Sequence, residues 1–217
     1  MHLKTLAAVV LAIASVPAAH AAEGRYSLGV GANTLGFGVD GNIRLNDHLS
    51  ATASYSTFGI DGDVDTDEVA YSGELSSDNA TVKLNWHPFA GSFHVSAGLV
   101  AGDLEAVVTG SPRAGASYEF NGVTYTAEQV GTLRGSVAIK DSVAPYAGIG
   151  WRSQRQGLGF YADIGVIAAK TSVGLSATGM LADPRLAADL EAERASLQDE
   201  VDLSLYPVIG AGLVWRF

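Results

Sequence analysis

Cysteine is absent from the 217 residues. A chain without it has no disulfide framework and no thiolate metal site. Long apolar runs are missing too. Beyond residue 22 no stretch approaches the ~20 residues that a membrane-spanning helix needs. Basic charge is scarce, with 13 Lys and Arg against 23 Asp and Glu. Phosphate backbones need a basic surface, so no nucleic-acid partner is expected. What the chain does have is glycine, 26 residues, and a 47% share of hydrophobic residues. Without long runs, those apolar residues must be dispersed by alternation. That is the weak but repeated signature of a membrane barrel strand.

The first residues stand apart. Lys4 precedes an apolar run from Leu6 to Val16, too short to span as a helix, and Ala19-His20-Ala21 follows as a small-x-small cleavage site. This reads as a secretory signal peptide, 1–21, with cleavage after Ala21 or Ala22 and a mature domain of 22–217. Losing Lys4 takes the formal charge from −10 to −11.

The tail organises the rest. In Tyr206 to Phe217, every second residue back from the end (Phe217, Trp215, Leu213, Ala211, Ile209, Pro207) is apolar, and the residues between are small or polar-tipped. Period two is a strand signature. A strand ending on exposed Trp-x-Phe suits a bilayer boundary, where aromatic rings sit well.

The same alternation recurs. Tyr26, Leu28, Val30 and Ala32 share one face, and Leu35, Phe37, Val39, Ile43 and Leu45 continue it on odd numbers. A two-residue turn at Asn33-Thr34 explains the shift; a bulge in one long strand is the alternative. Further outward faces run through Leu49 to Thr57, Ala80 to Trp86, Phe93 to Ala101, Ala147 to Trp151 and Phe160 to Ala168. The fourth strand is expected from about Val69 to Trp86, and another from Val137 to Trp151. The excursion between Val108 and Arg134 holds Phe120-Asn-Gly-Val123, a type I′ hairpin signal, and Thr126-Ala-Glu-Gln129, a capping box. One helix is expected from Asp183 to about Val201, with Asp183 as cap, Pro184 in its first turn and a stripe of Leu186, Leu190, Leu197 and Val201. The total is eight antiparallel strands joined alternately by short and long connections. That is an all-β transmembrane barrel of outer-membrane type, with short periplasmic turns and an extracellular amphipathic helix before the last strand. Trp86, Trp151 and Trp215 each end a strand at a short turn or the C-terminus, so they fall at one rim as a periplasmic aromatic girdle.

Gly31 to Gly38, Asn85-Trp-His-Pro-Phe89, Ala144 to Trp151, Phe160 to Gly165, Ser172 to Gly179 and the terminal Tyr206-Pro…Trp215-Arg-Phe217 resemble, in order and spacing, a family of proteobacterial outer-membrane β-barrel proteins, similar in look to small OmpW-like and OmpA-like barrels. The resemblance implies location and fold: the outer membrane of a Gram-negative cell, with outer-membrane lipid and lipopolysaccharide as surroundings. It implies no agreed activity, no cofactor and no catalytic residues. Phe217 resembles the sorting signal through which the barrel-assembly machinery takes the C-terminal strand. The acidic helix departs from OmpW-like barrels.

Alternation points Arg44, Lys83, Arg152 and Arg216 inward near the periplasmic end, with Asp40 and Asp163 inward somewhat higher. One reading is a lumenal ion network filling a barrel that leaves room for little else. The other is a basic constriction favouring anions. His48, His87 and His94 lie in or beside short turns, and His94-x-Ser96 is the single local His/Ser pair, far from the outer leaflet; no enzyme is expected. Asp61, Asp63, Asp65, Asp67 and Glu68 begin like a calcium loop, but Thr66 stands where Gly belongs and Ser72 where the closing Glu belongs, so a solvated acidic loop is expected. The functional expectation is a structural or surface-interaction role with a filled lumen. A narrow channel for small anionic or apolar solutes is second, and an outer-membrane lipid-modifying enzyme third.

Overall fold

A computed structural model describes residues 24–65, 69–112, 115–139, 143–181, 183–200 and 205–217. The expected signal peptide, and Asp67, Glu68 and Val201, lie outside them. The strands are β1 (Tyr26–Asn33), β2 (Gly36–Arg44), β3 (Leu49–Asp65), β4 (Val69–Trp86), β5 (Phe93–Pro112), β6 (Ser117–Phe120), β7 (Val123–Thr126), β8 (Leu133–Ile139), β9 (Val143–Arg152), β10 (Gly157–Ile167), β11 (Thr171–Ala177) and β12 (Tyr206–Arg216). A four-residue helix α1 (Ala127–Val130) follows β7, and α2 (Pro184–Glu200) precedes β12.

Every pairing is antiparallel, and the main sheet closes on itself. The circuit β1–β2–β3–β4–β5–β9–β10–β12 returns to β1, with Leu28 opposite Trp215 at the seam. Closure leaves no free edge along this circuit. Among the described residues there are twelve strands where eight were expected, eight of them in the closed circuit. β6 and β7 form a separate hairpin. The strand expected from Val137 to Trp151 is described as β8 and β9, on either side of residues 140–142, which lie outside the described residues. Both pair with β5, Ala101 opposite Val143 and Glu105 opposite Ala138, so the two registers differ by one residue. β11 then pairs with β8 alone, rather than continuing β10 along β9.

Residues 25–45 form a hairpin, not one bulged strand. Its turn is one residue later than expected, at Thr34-Leu35. Asn33 Oδ1 accepts from the Leu35 amide at 2.7 Å, and Gly36 takes φ +128°. Leu35 consequently tucks inward and is buried instead of continuing the outward face. The acidic stretch is also corrected. β3 runs on through Asp65, so Asp61 and Asp63 stand on a strand, opposite Glu74 and Ser72.

The packing is inverted relative to a water-soluble fold. Val82, Phe37, Val30, Phe160 and Leu213 are more than half exposed, while Ser27, Asn42, Ser50, Thr52, Asn85 and Ser96 are buried. Water does not tolerate so continuous an apolar exterior.

That inversion holds along only part of the tall strands. On β3, β4 and β5 the outward face is apolar up to the rung Tyr55–Ala80–Ala101; the next outward rung is Thr57–Asp78–Asp103, followed by Glu74, Asp61 and Glu105. The inward face switches at the same height, from Ser56, Asn79 and Thr81 to Phe58, Leu75, Leu104 and Ala106. One set of strands thus reads apolar-out below this rung and polar-out above it. The tall wall β3–β4–β5–β8–β11 stands above the low hairpin β1–β2, whose two-residue turn ends near the switch.

Above the switch a small second core forms. Asn121 and Gly122 both take positive φ, 49° and 74°, as a type I′ turn requires. Thr126 and Gln129 complete the capping box at the start of α1. Asp183 Oδ1 accepts from the Arg185 and Leu186 amides, capping α2. Leu186 and Leu190 are buried against Phe120, Tyr125, Val130 and Ala177, so the helix stripe packs on this chain's own hairpin and wall. Tyr125 donates to Asp189 Oδ2 at 2.5 Å. That bond lowers the Asp189 pKa below the usual carboxylate range and pushes the Tyr125 hydroxyl up to about 12.

Candidate functional site: the barrel lumen

Small residues on facing strands make room for charge inside. Asp40 of β2 lies against Gly29 of β1, where a β-carbon would overlap its Oδ1; Asp163 of β10 lies against Gly150 of β9 in the same way. Glycine is required there by close approach, not by a turn.

Two ion pairs fill the middle. Arg152 donates to Asp40 Oδ2 at 2.7 Å, and its guanidinium carbon sits 4.7 Å from the centre of the Tyr161 ring. Lys83 Nζ lies 3.2 Å from Asp163 Oδ2 and 5.4 Å from the Tyr146 ring centre. His94 Nε2 lies 3.0 Å from Asp163 Oδ1. Buried charges are tolerated when paired and hydrogen-bonded in this way.

Of the six inward charges read from the sequence, Asp40, Arg152, Lys83 and Asp163 come together. Arg44 and Arg216 do not. Arg44 bonds Gln154 and the carbonyls of Asp47 and Ala90, and Arg216 donates to the Gly24 carbonyl at 2.7 Å. Both close the short-turn end by holding backbone. His94, Tyr146 and Tyr161 are members of the cluster that inward charge alone does not pick out. Inward parity was their only sequence signal, since His94 and Asp163 are 69 residues apart.

Nearer the short turns, beside Arg44 and Arg216, the interior holds a layer of neutral, hydrogen-bonded side chains. Asn42 and Asn85 each donate to Ser50 and Thr52, and Ser96 donates to Asn85. His87, in the turn after β4, completes this layer. Its Nδ1 faces the Gly91 carbonyl at 2.9 Å and its Nε2 faces Ser50 Oγ at 3.0 Å. A carbonyl only accepts, so Nδ1 carries the proton and Nε2 accepts from Ser50.

Burial pushes the His87 pKa down, against the pull of the Gly91 carbonyl. The neutral form is favoured by folding. Its stabilisation is therefore complete above the unfolded value of ~6.5 and is lost as pH falls toward the lowered folded value. Unfolding midpoints in urea are expected to drop between pH 8 and pH 5, and His87→Gln should flatten part of that slope; an equal slope in the variant would remove His87 as its source.

The space left is small. A cavity of ≈50 Å³ lies among Asp40, Lys83, Arg152, Tyr161 and Asp163, room for one or two waters. Above it Leu35, Val100, Ala144, Ile167 and Val208 form a buried apolar layer, with a gap of ≈10 Å³ beside it. Among the described residues no group of three or more His, Asp or Glu is placed to hold a metal ion.

Comparison with solved structures identifies the architecture. The chain has the fold of a CarO barrel. It is similar to CarO of Acinetobacter baumannii, with a TM-score of 0.58 and 19% identity over 88% of this chain and 97% of that one. CarO2 of the same organism gives a TM-score of 0.56 and 16% identity over 88% and 98%. At those identities the likeness to CarO shows the fold alone. No protein-family model matches the chain, and no curated protein matches it by sequence.

Trp86, Trp151 and Trp215 are each about half exposed, and Trp151 lies opposite Phe93 while Trp215 lies opposite Leu28 and Leu158. The strands that carry them all run toward the short-turn end, where Phe217 also projects.

Proposed function

We propose that this chain is an integral outer-membrane protein whose eight-strand circuit spans the bilayer, with α2 and the β6–β7 hairpin on the cell surface, and that its role is structural or surface-interacting. A CarO-like fold with an apolar exterior supports the placement, because only a closed barrel or a helix pairs every backbone group in lipid. Trp86, Trp151, Trp215 and Phe217 then form the periplasmic girdle, with Phe217 serving the assembly machinery. Outer-membrane lipid and lipopolysaccharide are the surroundings.

The observation that carries the role is the filled lumen: two ion pairs, a hydrogen-bonded polar layer and an apolar layer leave ≈50 Å³. No catalytic role is assigned. His94 faces Asp163 with one ring nitrogen and the Ser92 carbonyl with the other, and Ser96 donates to Asn85, so the His94-x-Ser96 pair makes no base–nucleophile contact; Ser50, which does bond His87, is buried and also accepts from Asn42 and Asn85.

A narrow passage for small solutes is the second reading. What favours it is continuity: the ≈50 Å³ cavity shares Leu35 and Val100 with the ≈10 Å³ gap, which shares Leu104 and Ile139 with a larger space at the mouth. Single-channel recording in planar bilayers separates the two. Silence in both potassium chloride and potassium acetate is the expected result, and reproducible unitary steps would replace the structural reading with the passage.

A further inference from the structure

β3 outruns one of its neighbours. β2 accompanies it only as far as Phe37 opposite Thr57, while β4 follows it on the other side up to Asp65 opposite Ala70. From Gly59 to Val64 one edge of β3 therefore has no strand beside it among the described residues. A β-carbon added at Gly59 or at Gly62 would meet nothing, so both faces of the strand are open at this height.

The last paired rung fixes which backbone groups reach that edge. A β-carbon at Gly36 would overlap the Thr57 carbonyl oxygen, so Thr57 turns its polar groups toward β2. These groups alternate sides along a strand. Gly59, Asp61 and Asp63 consequently turn theirs to the open edge. A row of unpaired N–H and C=O groups is a template for one more strand. That strand would stand above the Thr34-Leu35 turn, on the line β2 would follow if it were as tall as β3.

The two faces of the edge differ in chemistry. Asp61 and Asp63 point outward and are exposed, with Glu74 across from Asp61 on β4. Ile60 and Val64 point inward and are both more than half exposed. Side chains opposite each other in a strand pair share a face. A docked strand thus sets every second residue among carboxylates and the residues between among bare aliphatic groups. Basic residues alternating with apolar ones fit that demand. A second copy of this edge does not, because it would set carboxylate against carboxylate.

We infer that the open edge of β3 binds, by strand addition, an extended segment of another protein in which basic and apolar residues alternate. This rests on the surface-interacting role proposed above, and on the membrane placement given there the segment arrives from outside the cell. Main-chain hydrogen bonds supply affinity, and the alternation supplies choice.

The test uses full-length mature protein in phosphatidylcholine vesicles and a fluorescein-labelled heptapeptide of alternating lysine and valine, read by anisotropy. Saturable binding is expected. The same peptide N-methylated at every second residue keeps its charge and apolarity but cannot join a ladder; it should bind about tenfold more weakly or worse, equivalent to ~1.4 kcal/mol. A glutamate–valine heptapeptide should also bind more weakly. Asp63→Pro removes an N–H from the open edge and leaves the β4 side paired, and should weaken the lysine–valine peptide about tenfold. Asp61→Lys combined with Asp63→Lys should reverse the preference toward the glutamate–valine peptide, and decides the matter if the proline variant does not migrate as a folded barrel. Brominated phosphatidylcholine should quench Trp86, Trp151 and Trp215; failure of that quenching overturns the membrane placement and the outside origin of the partner, whereas the peptides read the edge itself. Equal binding of the N-methylated peptide, a saturable phase that survives both variants unchanged, or dimerisation of the protein through this edge in place of peptide binding would each overturn the inference.

Discussion

Arg152→Met is expected to lower the unfolding free energy of the barrel by about 3–5 kcal/mol, the largest effect foreseen for one side chain here. Arg152 and Asp40 are both about 5% exposed, so water does not screen the pair. Asp40 Oδ2 has Arg152 as its partner, and Oδ1 has no hydrogen bond among the described residues. Removing the cation leaves a buried carboxylate against Gly29, with Lys83 the other cation acting on it. Asp40→Asn in the same chain should return much of the loss, because an amide in that place carries no charge to desolvate. The measurement is urea unfolding in vesicles, followed by tryptophan fluorescence for the two single variants and the double variant, which yields the coupling directly. A loss under about 1 kcal/mol for Arg152→Met would put the pair in the class of solvent-screened bridges and contradict a filled lumen.

How far the sequence alone reaches depends on whether the information is local. The Asn121-Gly122 turn, the Thr126 capping box, the Asp183 cap and the tail alternation each depend on residues within a few positions, and each is where the pattern puts it. The turn at Thr34-Leu35 was off by one because the Asn33 side chain bonds the Leu35 amide, an option that apolar periodicity does not register. The one-residue difference in register between β8 and β9 is invisible for another reason. Val137 and Ile149 both carry strand-forming side chains, and the register is set against β5, a pairing partner far upstream in the chain. Acidic residues are depleted in strands, so the sequence of Asp61 to Glu68 reads as a loop. Yet Asp61 and Asp63 occupy outward positions above the switch, where a strand faces water and acidic side chains cost little. The lumen follows the same rule. Inward parity gave the charges of Asp40, Arg44, Lys83, Arg152, Asp163 and Arg216, but which of them meet is set by the stagger of strands around a ring.

On the membrane placement proposed above, stagger also determines where lipid ends, and this has a large and position-dependent consequence. Val82 and Ser76 sit on the same outward face of β4, six residues apart. Val82 lies in the apolar belt, opposite Ala53 and Leu99, and is 62% exposed; Ser76 lies beyond Asp78, opposite Gly59 and Glu105. If hydrocarbon is the solvent of the first and water the solvent of the second, one substitution must behave in two ways. Val82→Arg is expected to destabilise the folded barrel by about 2–4 kcal/mol, and Ser76→Arg by about 0–1 kcal/mol. Ser76→Arg has in addition Glu105 directly across the strand pair, an opposite charge that works in its favour. In a water-soluble protein the order would vanish, since a more-than-half-exposed valine on an aqueous surface accepts arginine at almost no cost. Refolding titrations of the two variants into phosphatidylcholine vesicles read the difference. Equal, small effects at both positions would remove lipid from the account and leave the apolar exterior to be covered by protein instead.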